Sequence, residues 1–144
     1  MGDRAVITTR ENYKNNGIGI YVHWCGTRKY IQGFLKYCSL RGFRSVDENE
    51  PYAWARLCQV IANFFGGGLS VGIGQVDHMD SCDWDNGTYL IEGWNIVGRV
   101  NAPVDESVPW TEELIAVIQT IDEHQLPSEQ LGAEKIYEML EDFE

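Results

Sequence analysis

No apolar run in the sequence approaches the roughly 20 residues that a membrane-spanning helix needs. The first residues also lack the basic region and apolar stretch of a secretory signal. The four cysteines are irregularly spaced and include no Cys-x-x-Cys pair, which argues against a disulfide framework. The motifs G-x-S-x-G and H-E-x-x-H and a phosphate-binding glycine loop are absent as well. These absences favour a cytoplasmic protein that is not an enzyme.

Basic residues are nearly missing from the last part of the chain. Residues 105–144 contain twelve acidic side chains and one basic side chain, Lys135, whereas residues 1–104 contain ten of each sign. The whole net charge of −11 therefore belongs to the C-terminal segment. Such a segment repels nucleic acid phosphates and attracts basic surfaces, although a helix face that is merely solvated has the same composition.

The remaining pattern predicts one compact domain of two parts. Residues 1–104 form an α+β core domain, and residues 105–144 form an acidic C-terminal helical region that packs on the core or projects from it. A chain of 144 residues is long enough to bury a core without disulfide bonds. Cys38 and Cys58 fall on apolar helical stripes and are predicted to be core residues.

Alternation of apolar residues and helical spacing predict an α+β fold, with an antiparallel sheet of about five strands. Two central helices pack with this sheet, and an acidic C-terminal helix pair follows. Asn15-Asn16-Gly17 predicts a hairpin turn between the first two strands. The predicted strands are 5–9, 18–23, 69–76, 88–92 and 95–100, and the predicted helices are 27–40, 51–65, 111–125 and one that opens at Ser128.

The segment 75–89 gathers more potential metal ligands than any other, with four aspartates, one histidine and one cysteine. A calcium-binding EF-hand is excluded because Asn86 occupies the position that requires glycine, and Gly87 comes one residue late. Imidazole and thiolate groups favour zinc over magnesium. The segment therefore predicts a transition-metal site, with zinc as the cofactor.

Two pairs of soft ligands make up this predicted zinc site. His78 and Cys82 lie four residues apart in the segment 75–89. His23 and Cys25 lie two residues apart on a strand that is expected to neighbour this segment. An aspartate replaces one ligand or orients a histidine. The predicted ligands are His23, Cys25, His78 and Cys82, with Asp77, Asp80, Asp83 or Asp85 in the supporting role.

The same residues also suit a simpler interpretation. Asp and Asn side chains often bond to nearby backbone groups in turns, and Asn86-Gly87 is a strong hairpin signal. If a metal binds, four protein ligands make a closed structural site, whereas three ligands and a water leave an open site for hydrolysis.

A smaller basic cluster lies in and after the first long helix. With acidic residues dominating elsewhere, this cluster is interpreted as a solvated helix face, so no direct binding of nucleic acid is predicted. The cluster consists of Arg28, Lys29, Lys36, Arg41 and Arg44.

Four stretches carry a likeness to known proteins: YVHWCG at 21–26, FLKYC at 34–38, WARLCQVIANFFGG at 54–67 and DNGTY at 85–89. Together, the residues from Arg4 to about Arg99 resemble a family of small proteins from phages and mobile elements of Gram-positive gut bacteria. Some such small acidic proteins are type II anti-CRISPR proteins, which block an RNA-guided nuclease. The resemblance therefore implies a protein that works in the cytoplasm of a bacterial host cell.

The expected function is inhibition of a type II CRISPR effector nuclease, through an acidic surface that blocks loading of target DNA. The nuclease keeps nucleic acid in a positively charged channel, which an acidic surface complements. A metal-dependent hydrolase using His23 and His78, or an accessory protein of a mobile element, is the alternative. No contact with a membrane is expected. The predicted contact residues are Glu112, Glu113, Glu134, Glu138, Glu141 and Asp142.

Overall fold

The computed structural model describes residues 3–79, 85–102 and 107–141. Within these ranges, five strands containing β-branched residues form one sheet. The strands are β1 Ala5–Thr8, β2 Ile18–Val22, β3 Val71–Gln75, β4 Thr88–Glu92 and β5 Asn95–Val100. Their order across the sheet is β3-β2-β1-β4-β5.

The sheet is mixed, and one pairing departs from the predicted antiparallel pattern. β2 pairs antiparallel with β1 and β3, and β5 pairs antiparallel with β4. β1 and β4 are parallel because the chain crosses from one edge of the sheet to the far side of β1. The predicted α+β fold with five strands is confirmed, and the sheet is mostly antiparallel.

Five α-helices accompany the sheet in the described residues. They are α1 Arg10–Asn15, α2 Arg28–Leu40, α3 Pro51–Phe64, α4 Thr111–Glu123 and α5 Ala133–Glu141. Pro51 begins α3, where its missing N–H has no helical partner to lose. None of the helices in the described ranges has the length and apolarity needed to cross a lipid bilayer.

The predicted hairpin turn between β1 and β2 is wrong, because the short helix α1 joins the two strands. The Thr9 side chain caps this helix by accepting a hydrogen bond from the Asn12 N–H, with a distance of 3.1 Å. Asn16 ends it in the left-handed conformation, at φ 59°. Asn15-Asn16-Gly17 therefore terminates a helix instead of forming a two-residue turn.

The hairpin interpretation of Asn86-Gly87 is also wrong. β3 and β4 are not neighbours, since β2 and β1 lie between them. The Asn86 N–H donates to the Arg4 carbonyl at 3.1 Å, and the Gly87 carbonyl accepts from the Val6 N–H at 3.1 Å. These bonds guide the chain into β4 alongside the parallel strand β1.

The core lies between the sheet and the layer of long helices. Ile7 and Ile20 from the sheet, Phe34 from α2, Leu57 from α3 and Ile118 from α4 are fully buried in it. The helices α4 and α5 of the acidic C-terminal region therefore pack on the core. Side chains that they add to the core are Ile115, Val117, Ile121, Ile136 and Leu140.

The cysteine predictions for the core agree with this packing. Cys38 is fully buried, and burial raises the pKa of its thiol. Cys58 is half-buried and packs against the core cluster, with its thiol pKa also raised by burial. Both behave as small apolar residues.

Candidate functional site

His23 and Cys25, two of the predicted zinc ligands, lie just after β2. His23 Nδ1 is 2.9 Å from the Tyr21 hydroxyl oxygen, and the His23 ring packs edge-on against Trp24. Burial, with a smaller contribution from the Asp3 carboxylate, raises the pKa of the half-buried Cys25 thiol.

Asp77 and His78 lie in a 3-10 turn, Val76–His78, directly after β3. Their side chains are 62% and 73% exposed, and His78 Nε2 is 3.6 Å from Asp77 Oδ1. The Asp77 N–H donates to the Asn16 side-chain oxygen at 2.7 Å, which anchors the turn beside the end of α1.

The register of β2 with β3 places these two pairs of ligands at opposite ends of the strands. Val22 pairs with Val71 at one end, and Ile18 pairs with Gln75 at the other. At about 3.4 Å per residue, the four steps between these ends span roughly 14 Å. The predicted set that joins His23 to His78 therefore does not come together on one metal ion.

Asp85, a supporting ligand in the prediction, binds Arg4. The Arg4 side chain and backbone N–H both donate to Asp85 Oδ2, at 2.8 and 3.0 Å. These hydrogen bonds, the side-chain one first, lower the pKa of the Asp85 carboxyl. The carboxylate thus ties the segment before β4 to the segment before β1.

Across residues 3–79, 85–102 and 107–141, no three His, Cys, Asp or Glu side chains are grouped to hold a metal ion. Cys82, Asp80 and Asp83 lie outside these ranges. The described residues therefore do not test the parts predicted for these three side chains.

The acidic surface predicted for the C-terminal region lies on the outer sides of α4 and α5. We call it the acidic face, and its exposed members are Glu112, Glu113, Glu123, Glu134, Glu138 and Glu141. Lys29 Nζ lies 3.7 Å from Glu113 Oε1, but both side chains are exposed and such pairs contribute little. Asp142, also predicted as a contact residue, falls outside the described ranges.

Asp122 holds the acidic face in place and was not predicted from the sequence. Its carboxylate is buried and accepts hydrogen bonds from the Tyr37 hydroxyl at 2.6 Å and from the Leu131 and Gly132 N–H groups at 2.8 and 2.9 Å. Burial, followed by the bond to Asp122, raises the pKa of the Tyr37 hydroxyl. One sequence signal could have indicated this buried carboxylate: Asp122 directly follows Ile121, a member of the apolar stripe of α4.

A cavity of about 320 Å³ lies beneath this face, between α2, the start of β5 and α4. Arg28, Gln32 and Lys36 line it from α2 at helical spacing, and Leu140 closes it from α5. Burial lowers the pKa of Lys36. α4 packs on α2, and α5 packs on α4. The start of α4 lies across the cavity from the start of β5.

Comparison of the chain with models of known protein families, with curated proteins and with solved structures found no match. Evidence on function therefore comes from the residues themselves.

Proposed function

We propose that the chain is a non-enzymatic inhibitor of a type II RNA-guided nuclease and that it binds the nuclease through the acidic face. The observation that carries this proposal is the placement of charge. Segment 105–144 accounts for the net charge of −11, and the six glutamates of the acidic face are exposed on two packed helices. The resemblance of residues 4–99 to proteins of phages and mobile elements supports the choice of partner.

The physical basis is electrostatic complementarity. A type II nuclease holds nucleic acid in a positively charged channel and reads a short flanking motif with arginines. An acidic protein surface is attracted to the same cations, so it competes with DNA for them. Asp122 fixes α5 to α4 and α2, so little conformational entropy is lost when the acidic face binds.

The test is cleavage of a DNA target by a purified nuclease–guide complex, with the chain added before or after the DNA. We expect inhibition only when the chain is added first, because the acidic face blocks loading. The triple variant Glu134→Gln/Glu138→Gln/Glu141→Gln removes charge from exposed positions of α5. It should inhibit at least about tenfold more weakly, and wild-type inhibition should weaken as salt rises.

A matched control removes the same charge from the core domain. Glu11, Glu48 and Glu92 are also exposed, and their triple replacement by Gln should leave inhibition within about twofold of the wild type. Equal loss in the two triple variants, or inhibition that does not change with salt, would show that the acidic face does not make the contact. Absence of inhibition against a panel of type II nucleases would remove the proposed partner.

A further inference from the structure

The strand β3 lies at an open edge of the sheet. In the described residues, β2 is its one neighbouring strand. The His23 N–H donates to the Ser70 carbonyl and the Val76 N–H donates to the Gly17 carbonyl, both at 2.9 Å. Since hydrogen-bonded pairs alternate along antiparallel strands, Val71, Ile73 and Gln75 direct their N–H and C=O groups away from β2.

Within the described residues, this edge lacks two features that usually prevent strands from pairing between molecules, namely charged side chains and proline. Residues 57–76 contain no charged side chain and no proline. Ile73 is 54% exposed, and Leu69 just before the strand is fully exposed. Charged side chains, proline, bulges and covering groups are the common means of protecting an edge.

The opposite edge of the sheet is protected. The pairing of β4 with β5 shifts register at Leu90/Ile91, which leaves an irregularity in β5. There the Arg10 side chain donates to the Val97 carbonyl at 2.7 Å. The contrast between the two edges marks β3 as the one open to a further strand.

We propose that two copies of the chain pair through β3, in antiparallel orientation about a twofold axis at Ile73. Ile73 then faces its equivalent, and Val71 faces Gln75 of the second copy. The three outward residues of each strand would form about six main-chain hydrogen bonds and join the two sheets into one.

The distribution of charge favours a second copy over a charged partner. The edge carries no charge with which to select a basic or acidic partner. The acidic face belongs to α4 and α5, which pack on α2 and on each other, so no glutamate of that face stands on the proposed interface strand. This proposal does not depend on the proposed nuclease inhibition.

Sedimentation of the full chain up to about 500 μM tests the dimer, since a small interface gives weak association. We expect the apparent mass to approach twice the 16.4 kDa of the chain. Ile73→Lys places two like charges face to face and should raise the dissociation constant at least about tenfold. Leu126→Lys is the matched control, because Leu126 is also 54% exposed but lies away from the sheet.

A cross-linking variant keeps the test decisive if Ile73→Lys does not fold. Hydrogen-bonded residues facing each other have Cα atoms about 5.5 Å apart, which suits a disulfide. Oxidised Ile73→Cys should give a reducible dimer, whereas Leu126→Cys should not. A monomer throughout the concentration range, a dimer unaffected by Ile73→Lys, or no cross-link in Ile73→Cys would overturn the proposal.

Discussion

A single buried carboxylate, that of Asp122, determines how α5 lies against the rest of the molecule. It receives one hydroxyl and two backbone N–H groups, from α2 and from the segment that leads into α5. The Tyr37 hydroxyl is buried with this carboxylate, and the Leu131 and Gly132 N–H groups are partly buried against it. Asp122 is itself acidic, but it is buried and positions the acidic face without being part of it.

Asp122→Ala should lower the free energy of unfolding by about 3 kcal/mol, because it leaves the buried Tyr37 hydroxyl and two partly buried N–H groups without this acceptor. Urea unfolding of the variant measures this loss. Glu123→Ala is the control: its side chain is exposed, and we expect a change within about 0.5 kcal/mol. Similar losses in the two variants would show that the bonds of Asp122 do not hold α5.

The Arg4–Asp85 pair makes stability depend on pH. A carboxyl whose pKa is lowered by folding stabilises the folded state above its unfolded pKa, about 3.9, and this contribution is lost as pH falls through the folded pKa. Asp85→Asn should therefore cost about 1–2 kcal/mol at pH 7. Urea unfolding at pH 7, 4.5 and 3 should show the difference from wild type narrowing below about pH 4. A difference independent of pH would contradict a role for the carboxylate charge.

At the scale of elements, Gly33 sets the approach of α2 to α4. A Cβ atom at Gly33 would lie 2.7 Å from Val117 Cγ1 and 3.2 Å from Ile121 Cδ1. Real side chains do not tolerate the first distance, so the two helices meet at this spacing only because residue 33 has no side chain.

Gly33→Ala should destabilise the protein by about 1–2 kcal/mol, even though alanine is the better helix former by about 1 kcal/mol. Val117→Ala removes the clashing methyl groups, so the double variant should lose less than the sum of the two single losses. A double-mutant cycle of urea unfolding measures this coupling, expected to be about 1 kcal/mol. Additive losses would show that α4 moves aside at no cost.

The long elements could be predicted from the sequence because burial of one face leaves a periodic pattern. β4 and β5 have the predicted bounds, and α2 and α3 differ from theirs by one residue at one end. α1 has no apolar stripe, and it depends on a cap at Thr9 and a left-handed Asn16. The neighbour of β1 could not be predicted, since a fully buried strand carries no alternating pattern to specify its partner.

The candidate site was predictable in its composition and not in its contacts. The concentration of glutamates after residue 104 is visible in the sequence, and the described members are exposed on α4 and α5. Asp85 was predicted to support a metal and instead binds Arg4, a residue 81 positions away. Spacing along the chain cannot predict such a contact, nor that His23 and His78 lie at opposite ends of paired strands.

At the scale of the whole molecule, the acidic side chains and the open strand edge belong to different elements. The acidic face is on α4 and α5, whereas β3 carries no charged side chain. Binding of a nuclease through the acidic face therefore leaves the β3 edge accessible for dimer formation. Salt should affect these two associations in opposite directions. Screening weakens the attraction of the acidic face for a basic partner, whereas it reduces the repulsion between two copies of the same chain.

The acidic face carries repulsion within itself, so a change that stabilises the fold should impair the proposed binding. Glu134 and Glu138 are exposed one helical turn apart, where like charges destabilise a helix by about 0.2–0.5 kcal/mol. Glu138→Lys replaces this repulsion with attraction and should raise the free energy of unfolding by about 0.5 kcal/mol. The same variant should inhibit a type II nuclease roughly tenfold more weakly, because it reverses a charge on the contact surface.

Glu92→Lys makes the same change of charge at the exposed end of β4 and serves as the control. Urea unfolding and cleavage inhibition are measured on both variants under the same conditions. If Glu138→Lys is more stable and inhibits more weakly, and Glu92→Lys does neither, then Glu138 contributes to binding at a cost in stability. Such a cost is expected of a functional surface. If Glu138→Lys is more stable and inhibits as well as the wild type, α5 makes no contact with the nuclease, and the repulsion among its glutamates needs another explanation.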